Sequence, residues 1–427
     1  MQLARLLYAA TSIKNSSIFK FLKKINMKKG LLFLLSGFVT IASAQNVTDN
    51  KVSFTYIQLP TNPIDTKYTQ FEIVVTKSFE TSNQDSLNAY QIKLDNANVQ
   101  YESQMNVWKE QKKNIDRNYL IQLAAWEKST NAGTIVVQPV KPPYPLQPVK
   151  LEVLQPNMHE DLPNDQVNNM VNIDGFSKGT GGAKVTLDFK GVGNIKVVET
   201  KTGSGTTTKY QYKCEYTMPV EIKVETPSQG VVLNTIILNE VRSYPMKEYA
   251  SKYEYQLWYL DNQTQFWSEL QKHARTSAMS EITHYLNNAC GYSTRTWNTE
   301  IYSVKSHKEY SYDDLTNAYT LAKQGYDLIY QTRDRKNGHA KLTEAINVWK
   351  QALSESNIAD NKSRINEKVT ALIYYNIAEA YMWMSNFDES EQYINKAINA
   401  GEMKYKTEAK RLQGVLGDMK MRWNANY

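Results

Sequence analysis

Cysteine and histidine are scarce in this 427-residue chain, with two of the first and five of the second. Metal and thiol redox centres draw on these residues, and their spacing here suits neither. Cys214 and Cys290 are remote in sequence and belong to no C-x-x-C. His159, His273, His284, His307 and His339 include no H-E-x-x-H pair. His273 and His284 fall on one expected helix, about 16 Å apart by helical rise, too far to share an ion. His159-Glu160-Asp161 reads as a polar loop cluster. Gly175-Phe176-Ser177-Lys178-Gly179 matches G-x-S-x-G, but a nucleophile elbow runs from a strand into a helix, and here a glycine-rich run and a strand pattern follow. Gly179-Thr180-Gly181-Gly182-Ala183-Lys184 lacks phosphate-loop spacing and runs into a strand pattern, where a phosphate loop would enter a helix. Gly191-Val192-Gly193 and Gly203-Ser204-Gly205 read as hairpin turns. Carboxylate neighbours such as Asp313-Asp314 exist, but nothing sets two of them across a cleft as glycoside hydrolysis needs. The expectation is a non-enzymatic protein with no catalytic residue, no metal and no cofactor.

Acidic residues are missing from the first 44 positions, which carry Arg5, Lys14, Lys20, Lys23, Lys24, Lys28 and Lys29. An apolar run from Leu31 to Ile41 follows, then Ala42-Ser43-Ala44, a small-residue cleavage pattern with Gln45 as the first mature residue. The apolar core is about a dozen residues, short of the roughly 30 Å needed to span a bilayer. Residues 1–44 therefore read as a cleavable export signal, with Met27 the expected true start. No cysteine follows the cleavage point to carry a lipid. The whole chain has 50 basic and 43 acidic residues. Loss of the seven leader cations leaves the two signs equal, so no basic field remains for nucleic acid or anionic lipid. No later apolar run is long enough to be an integral membrane segment. In an exported protein Cys214 and Cys290 are the minimum for one disulfide, and two buried thiols are the alternative.

Along the mature chain, Val52–Leu59 and Phe71–Thr76 read as strands. From Asp85 to Thr130 there is neither glycine nor proline. Leu87, Tyr90, Leu94, Ala97, Tyr101, Met105, Trp108, Ile115, Tyr119, Leu123 and Trp126 recur in steps of mostly three and four, a helical stripe. One long helix and a hairpin broken near Lys113–Asp116 both fit. Pro139, Pro142, Pro143, Pro145 and Pro148 follow, a spacing that excludes helix and suits a stiff extended strap returning from the insertion. From Lys150 to Asn239 the pattern is β: alternation at Val185–Phe189, Tyr210–Tyr216 and Val220–Val224, then Val231–Leu238 after a Pro227–Gly230 turn. The early strands are expected to join the same sheets. A helix is expected over 262–289 with Gly291 as its stop, a short strand over 297–304, and a helix from a Ser311/Asp314 capping pair to about Thr332.

The C-terminal end carries Tyr374, Ile377, Ala378 and Tyr381, a turn at Ser385–Glu389, then Ser390, Ile394 and Ala397. This pattern resembles the tetratricopeptide repeat (TPR) family, with serine at two places where glycine and alanine are usual. Ala345, Trp349 and Ala352 repeat the second-helix spacing, after an interruption at Lys336–His339. The resemblance implies stacked helix pairs packed on small residues and a scaffold for protein–protein contact. The fold expected is α+β: an antiparallel β-sandwich-like domain over 45–260, with its helical insertion over 85–130 and Pro-rich strap over 139–148. A connector spans 261–310, and a TPR-like helical domain spans 311–427. With Asn, Gln, Lys and Tyr enriched, the chain resembles exported envelope proteins of the Bacteroidota type. The partners expected are other envelope proteins, in the periplasm or at the cell surface. The second reading is glycan binding by aromatics of the β domain, since the chain holds 29 Tyr and 8 Trp.

Overall fold

A computed structural model describes residues 46–132, 135–205, 208–306 and 309–427. The expected cleavage point Ala44/Gln45 and His307 lie outside the described residues. In chain order the elements are β1 (Val47–Ile57), β2 (Gln70–Thr76), α1 (Phe79–Asn131), α2 (Asn164–Met170), β3 (Ser177–Lys178), β4 (Ala183–Phe189), β5 (Gly193–Thr202), β6 (Lys209–Thr217), β7 (Val220–Thr226), β8 (Gly230–Ile237) and β9 (Arg242–Tyr249). They continue with α3 (Lys252–Ala289), β10 (Thr294–Val304), α4 (Asp313–Tyr330), α5 (Arg335–Leu353), α6 (Glu367–Trp383), α7 (Phe387–Asn399) and α8 (Met403–Asn426). The class is α+β, as expected. The chain divides into a β unit, Ser53–Trp297 with Arg411–Tyr427, and a helical unit, residues 46–52 with Asn298–Lys410.

In the β unit, alternation decides which face is buried. Ala183, Val185, Leu187 and Phe189 of β4 are buried, and Val185 and Leu187 stand opposite Val224 and Ile222 of β7. The five-stranded sheet has the order β3-β2-β4-β7-β8, and β5-β6-β9 form a separate antiparallel sheet. Strand β2 runs parallel to β3 and β4, so the larger sheet is mixed where a purely antiparallel one was expected. A parallel neighbour needs a long crossover. Helix α1 and the strap lie within that crossover. Strand β1 does not join these sheets as expected. It pairs with β10 instead.

Helix α3 begins ten residues before the expected start, because Ser251 caps it, accepting from Glu254 N at 3.1 Å. Its Phe266, Leu270, Ala274, Ala278, Ile282 and Leu286 share one core with both sheets. Each fully buried large apolar side chain contributes roughly 1.5–3 kcal/mol. The helical part of the region expected to be a connector is thus part of the β unit's core, and from Asn298 on the chain belongs to the helical unit. The chain's last turns belong there too. Arg422, 5% exposed, donates to Leu59 O at 2.8 Å and to Asn288 O and Oδ1 at 3.0 and 2.7 Å, and pairs with Asp418. The expected boundary at 310/311 is therefore corrected at both ends. The expected β region also starts later. Residues 150–162 belong to no strand, and α2 precedes β3.

In the helical unit, α4 and α5 pair, as do α6 and α7. The chain turns between α4 and α5 at Arg333, φ +59°, and Asp334 caps α5 by accepting from Asn337 N at 3.1 Å. Lys336–His339 is therefore the first turn of α5 and not an interruption. Gly338 is needed there for contact: a Cβ would sit 2.4 Å from Ile329 Cγ1 and 2.9 Å from Gly325 O. Helix α4 starts at Asp313 with Tyr312 as cap. Ser311 Oγ accepts from Asp313 N, not from Asp314 as a capping box requires.

Candidate interaction surfaces

Helix α1 is one continuous element of 53 residues, roughly 80 Å by helical rise. The alternative of a hairpin broken near Lys113–Asp116 is not found. The chain after it returns antiparallel along its aromatic stripe. Trp126 Nε1 donates to Val136 O at 3.1 Å, and Trp108 Nε1 donates to Pro145 O at 2.8 Å. Between them Tyr144 Oη donates to Asp116 Oδ1 at 2.6 Å, and Lys141 Nζ lies 2.5 Å from the same carboxylate oxygen. Lys112 Nζ sits over the rings of Trp108 and Tyr144 at 5.5 and 4.8 Å. The hydrogen bonds from Lys141 and Tyr144 hold the Asp116 carboxyl below its usual range. Pro139, Pro145 and Pro148 are half-buried, on one edge of a chain with the three-residue period of extended proline segments. The strap is the expected one, and it serves as the second wall of the arm.

The arm's root is fixed by polar contacts. Ser78 donates through N and Oγ to Asp188 at 3.0 and 2.6 Å. The Asn83 amide exchanges two 2.8 Å bonds with the backbone of His159. Lys77 pairs with Asp161 at 2.6 Å, and Glu160 with Arg275 at 3.4 Å. His159 lies between the rings of Phe79 and Trp267. Burial, with Arg275 beside it, pushes its imidazole pKa down. The His159–Asp161 cluster is therefore a structural clasp. Gly182 passes so near Gln70 that a Cβ would lie 1.9 Å from its carbonyl oxygen, a packing glycine at the entry to β4.

The repeat-like positions of the helical unit divide into core and surface. Ile377, Ala378, Ser390, Ile394 and Ala397 are buried, as are Ala345, Trp349 and Ala352. Ser390 Oγ donates to Ala378 O at 2.8 Å, so this buried hydroxyl is satisfied at the seam. Ser385 holds φ +65°, and Asn386 N reaches back to Tyr381 O at 3.0 Å. Tyr374 and Tyr381, in contrast, are half-exposed. They flank Tyr393, with centroids at 6.1 and 5.8 Å. Lys350 and Lys396 lie over the Tyr393 ring at 5.7 and 4.4 Å, and Lys350 Nζ donates to Tyr381 Oη at 2.8 Å. That bond raises the Lys350 pKa. Neither lysine has a carboxylate partner among the described residues. Three tyrosines and two lysines thus share one polar-aromatic surface. The sequence reading named two of the tyrosines as packing positions and missed Tyr393, Lys350 and Lys396. The i, i+7 step from Tyr374 to Tyr381 was the available signal.

Sequence reasoning also missed a buried polar seam. Asn376 of α6 accepts from Tyr302 N at 3.0 Å and donates to Tyr302 O at 2.7 Å, acting as a strand neighbour for β10. Thr299 Oγ1 donates to Glu379 Oε2 at 2.7 Å. Cys214 and Cys290 are free, buried thiols, so the disulfide considered from sequence is not formed. They fill space in the β unit's core, and burial pushes them up to about 11 and about 12. Among the described residues no group of three or more His, Cys, Asp or Glu could hold a metal ion, and no helix is long and apolar enough to cross a membrane. No protein-family model, curated protein or solved structure matches this chain.

Proposed function

We propose that the protein is a non-enzymatic interaction protein of the bacterial envelope, exported to the periplasm or cell surface, that binds other envelope proteins. In this reading α4–α7 are TPR-like helix pairs, and the sheets of the β unit are a sandwich-like support. The observation that carries it is the Tyr374–Tyr381–Tyr393 surface with its two carboxylate-free lysines, mounted on helix pairs whose seam is closed by Ala378, Ser390 and Ala397. Rigid aromatics beside long cations are the residue types that anchor protein interfaces. The test is capture from envelope extract of the host by the intact protein and by Tyr393→Ala with Lys350→Ala. Loss of a specific partner in the variant supports the reading. An unchanged set of captured proteins contradicts it.

Glycan binding is the second reading. It draws on Tyr212, Tyr249, Tyr255, Trp258 and Tyr259, of which Tyr212 and Tyr255 stack at 3.8 Å. Tyr212 and Tyr249 are buried, so much of this aromatic surface is spent on packing α3 against the small sheet. Retention on polysaccharide resin that is lost in Trp258→Ala would favour it.

A further inference from the structure

Val149-Lys150-Leu151-Glu152-Val153 alternates apolar and charged residues as a half-buried strand does. It nevertheless belongs to no strand. Among the described residues no backbone group from Leu146 to Asn157 makes a hydrogen bond. Val149 and Leu151 are 88% and 67% exposed, and neither Lys150 nor Glu152 has an ion-pair partner among the described residues. A strand pattern with unpaired backbone and exposed apolar side chains is an open edge, which natural proteins ordinarily cover or blunt.

We infer that this segment pairs with the same segment of a second copy of the chain, as an antiparallel ribbon centred on Leu151. The segment is complementary to itself in that register. Leu151 faces Leu151, and Val149 faces Val153, all on one side of the ribbon. On the other side each Lys150 faces the Glu152 of its partner. Two opposite-charge pairs form, related by the twofold axis such a contact requires. A parallel in-register pairing would bring like charges together and is disfavoured. The Pro-free stretch ends at Pro148 and Pro156, which limits the ribbon to the residues between them. This surface is separate from the tyrosine surface of the helical unit and does not depend on the reading given to it.

The test uses the full chain with one added thiol, since Cys214 and Cys290 are buried and free. Leu151→Cys places a sulfur opposite itself and is expected to form a disulfide-linked dimer under mild oxidation. Val149→Cys would face Val153 and is expected to cross-link on the order of tenfold more slowly. Equal rates at the two positions, or no cross-link at either, would overturn the pairing. Charge exchange gives an independent measurement by sedimentation. Lys150→Glu and Glu152→Lys should each raise the dimer dissociation constant on the order of tenfold. An equimolar mixture of the two should recover the wild-type value, because every cross-strand pair is again of opposite sign. A mixture that associates no better than its components contradicts the register. A wild-type chain that stays monomeric at all concentrations would sink the proposal and leave this edge to a foreign extended chain.

Discussion

Helices α1 and α6 both carry an aromatic-rich stripe, and they cover it in opposite ways. Helix α6 is enclosed apart from the edge that carries Tyr374 and Tyr381, with Val369, Leu372, Ile373, Tyr375, Ile377, Met382 and Trp383 among its buried residues. Helix α1 buries only Phe79 and Ala97. Its Tyr and Trp stripe is half-covered by an extended proline strap. The difference follows from what each helix meets. Alanine and serine at the α6–α7 seam let two helices approach closely, so large apolar side chains interlock on both sides. A proline chain is thin and presents one edge, so it shields a stripe and leaves the other faces of the helix in water. Ile92, Val99, Val107, Leu120 and Ile121 of α1 remain exposed. The same helical period thus builds a stable core in one place and a long accessible surface in the other.

The comparison breaks most visibly at the seam. Ala378→Trp inserts an indole where no space exists, with an expected loss of more than about 3 kcal/mol and separation of α6 from α7. Chemical denaturation monitored by circular dichroism measures it. Next is Asn376→Leu, which strands the buried amide and carbonyl of Tyr302 and should cost about 2–3 kcal/mol in the same assay. On the arm, Trp108→Phe removes only the bond to Pro145 O. The expected effect is about 1 kcal/mol, confined to the strap, seen as faster protease cleavage within 135–148 with little change in global unfolding. Ser385→Gly should stabilise the α6–α7 turn by about 0.5–1 kcal/mol, because glycine adopts the +65° φ without a Cβ penalty. The smallest effect is of pH on the arm. The Asp116 pKa is held below 3.8 by Lys141 and Tyr144, so its contribution to the strap is complete above that value. It is lost as pH falls through the lowered pKa. Tryptophan fluorescence should report strap release there and not at higher pH.

Local pattern carried much of this to the reader of the sequence. The α1 stripe, the strap and the strands β4, β6, β7 and β8 follow from periodicity and from where proline and glycine stand. The start of α3 was also written locally, in Ser251-x-x-Glu254, and was overlooked. Other features depend on partners far along the chain. Nothing near Asn376 announces Tyr302, and nothing in Val52–Leu59 tells that β1 pairs with β10 while β2 joins β4. Gly338 read as a breaker because its reason, close approach to Gly325, is tertiary. The stretch from Lys150 read as the start of the β region belongs to no strand, because alternation of side chains along a segment does not supply a neighbour for its backbone.

The interaction account is tested most directly by a photo-reactive phenylalanine analogue placed at Tyr393 or at Leu151 in the full chain, expressed in the host and irradiated. The account predicts that position 393 yields an adduct with a different polypeptide, and position 151 an adduct of twice the chain's own mass. Irradiation that gives neither adduct above an exposed control position such as Met403 would contradict it.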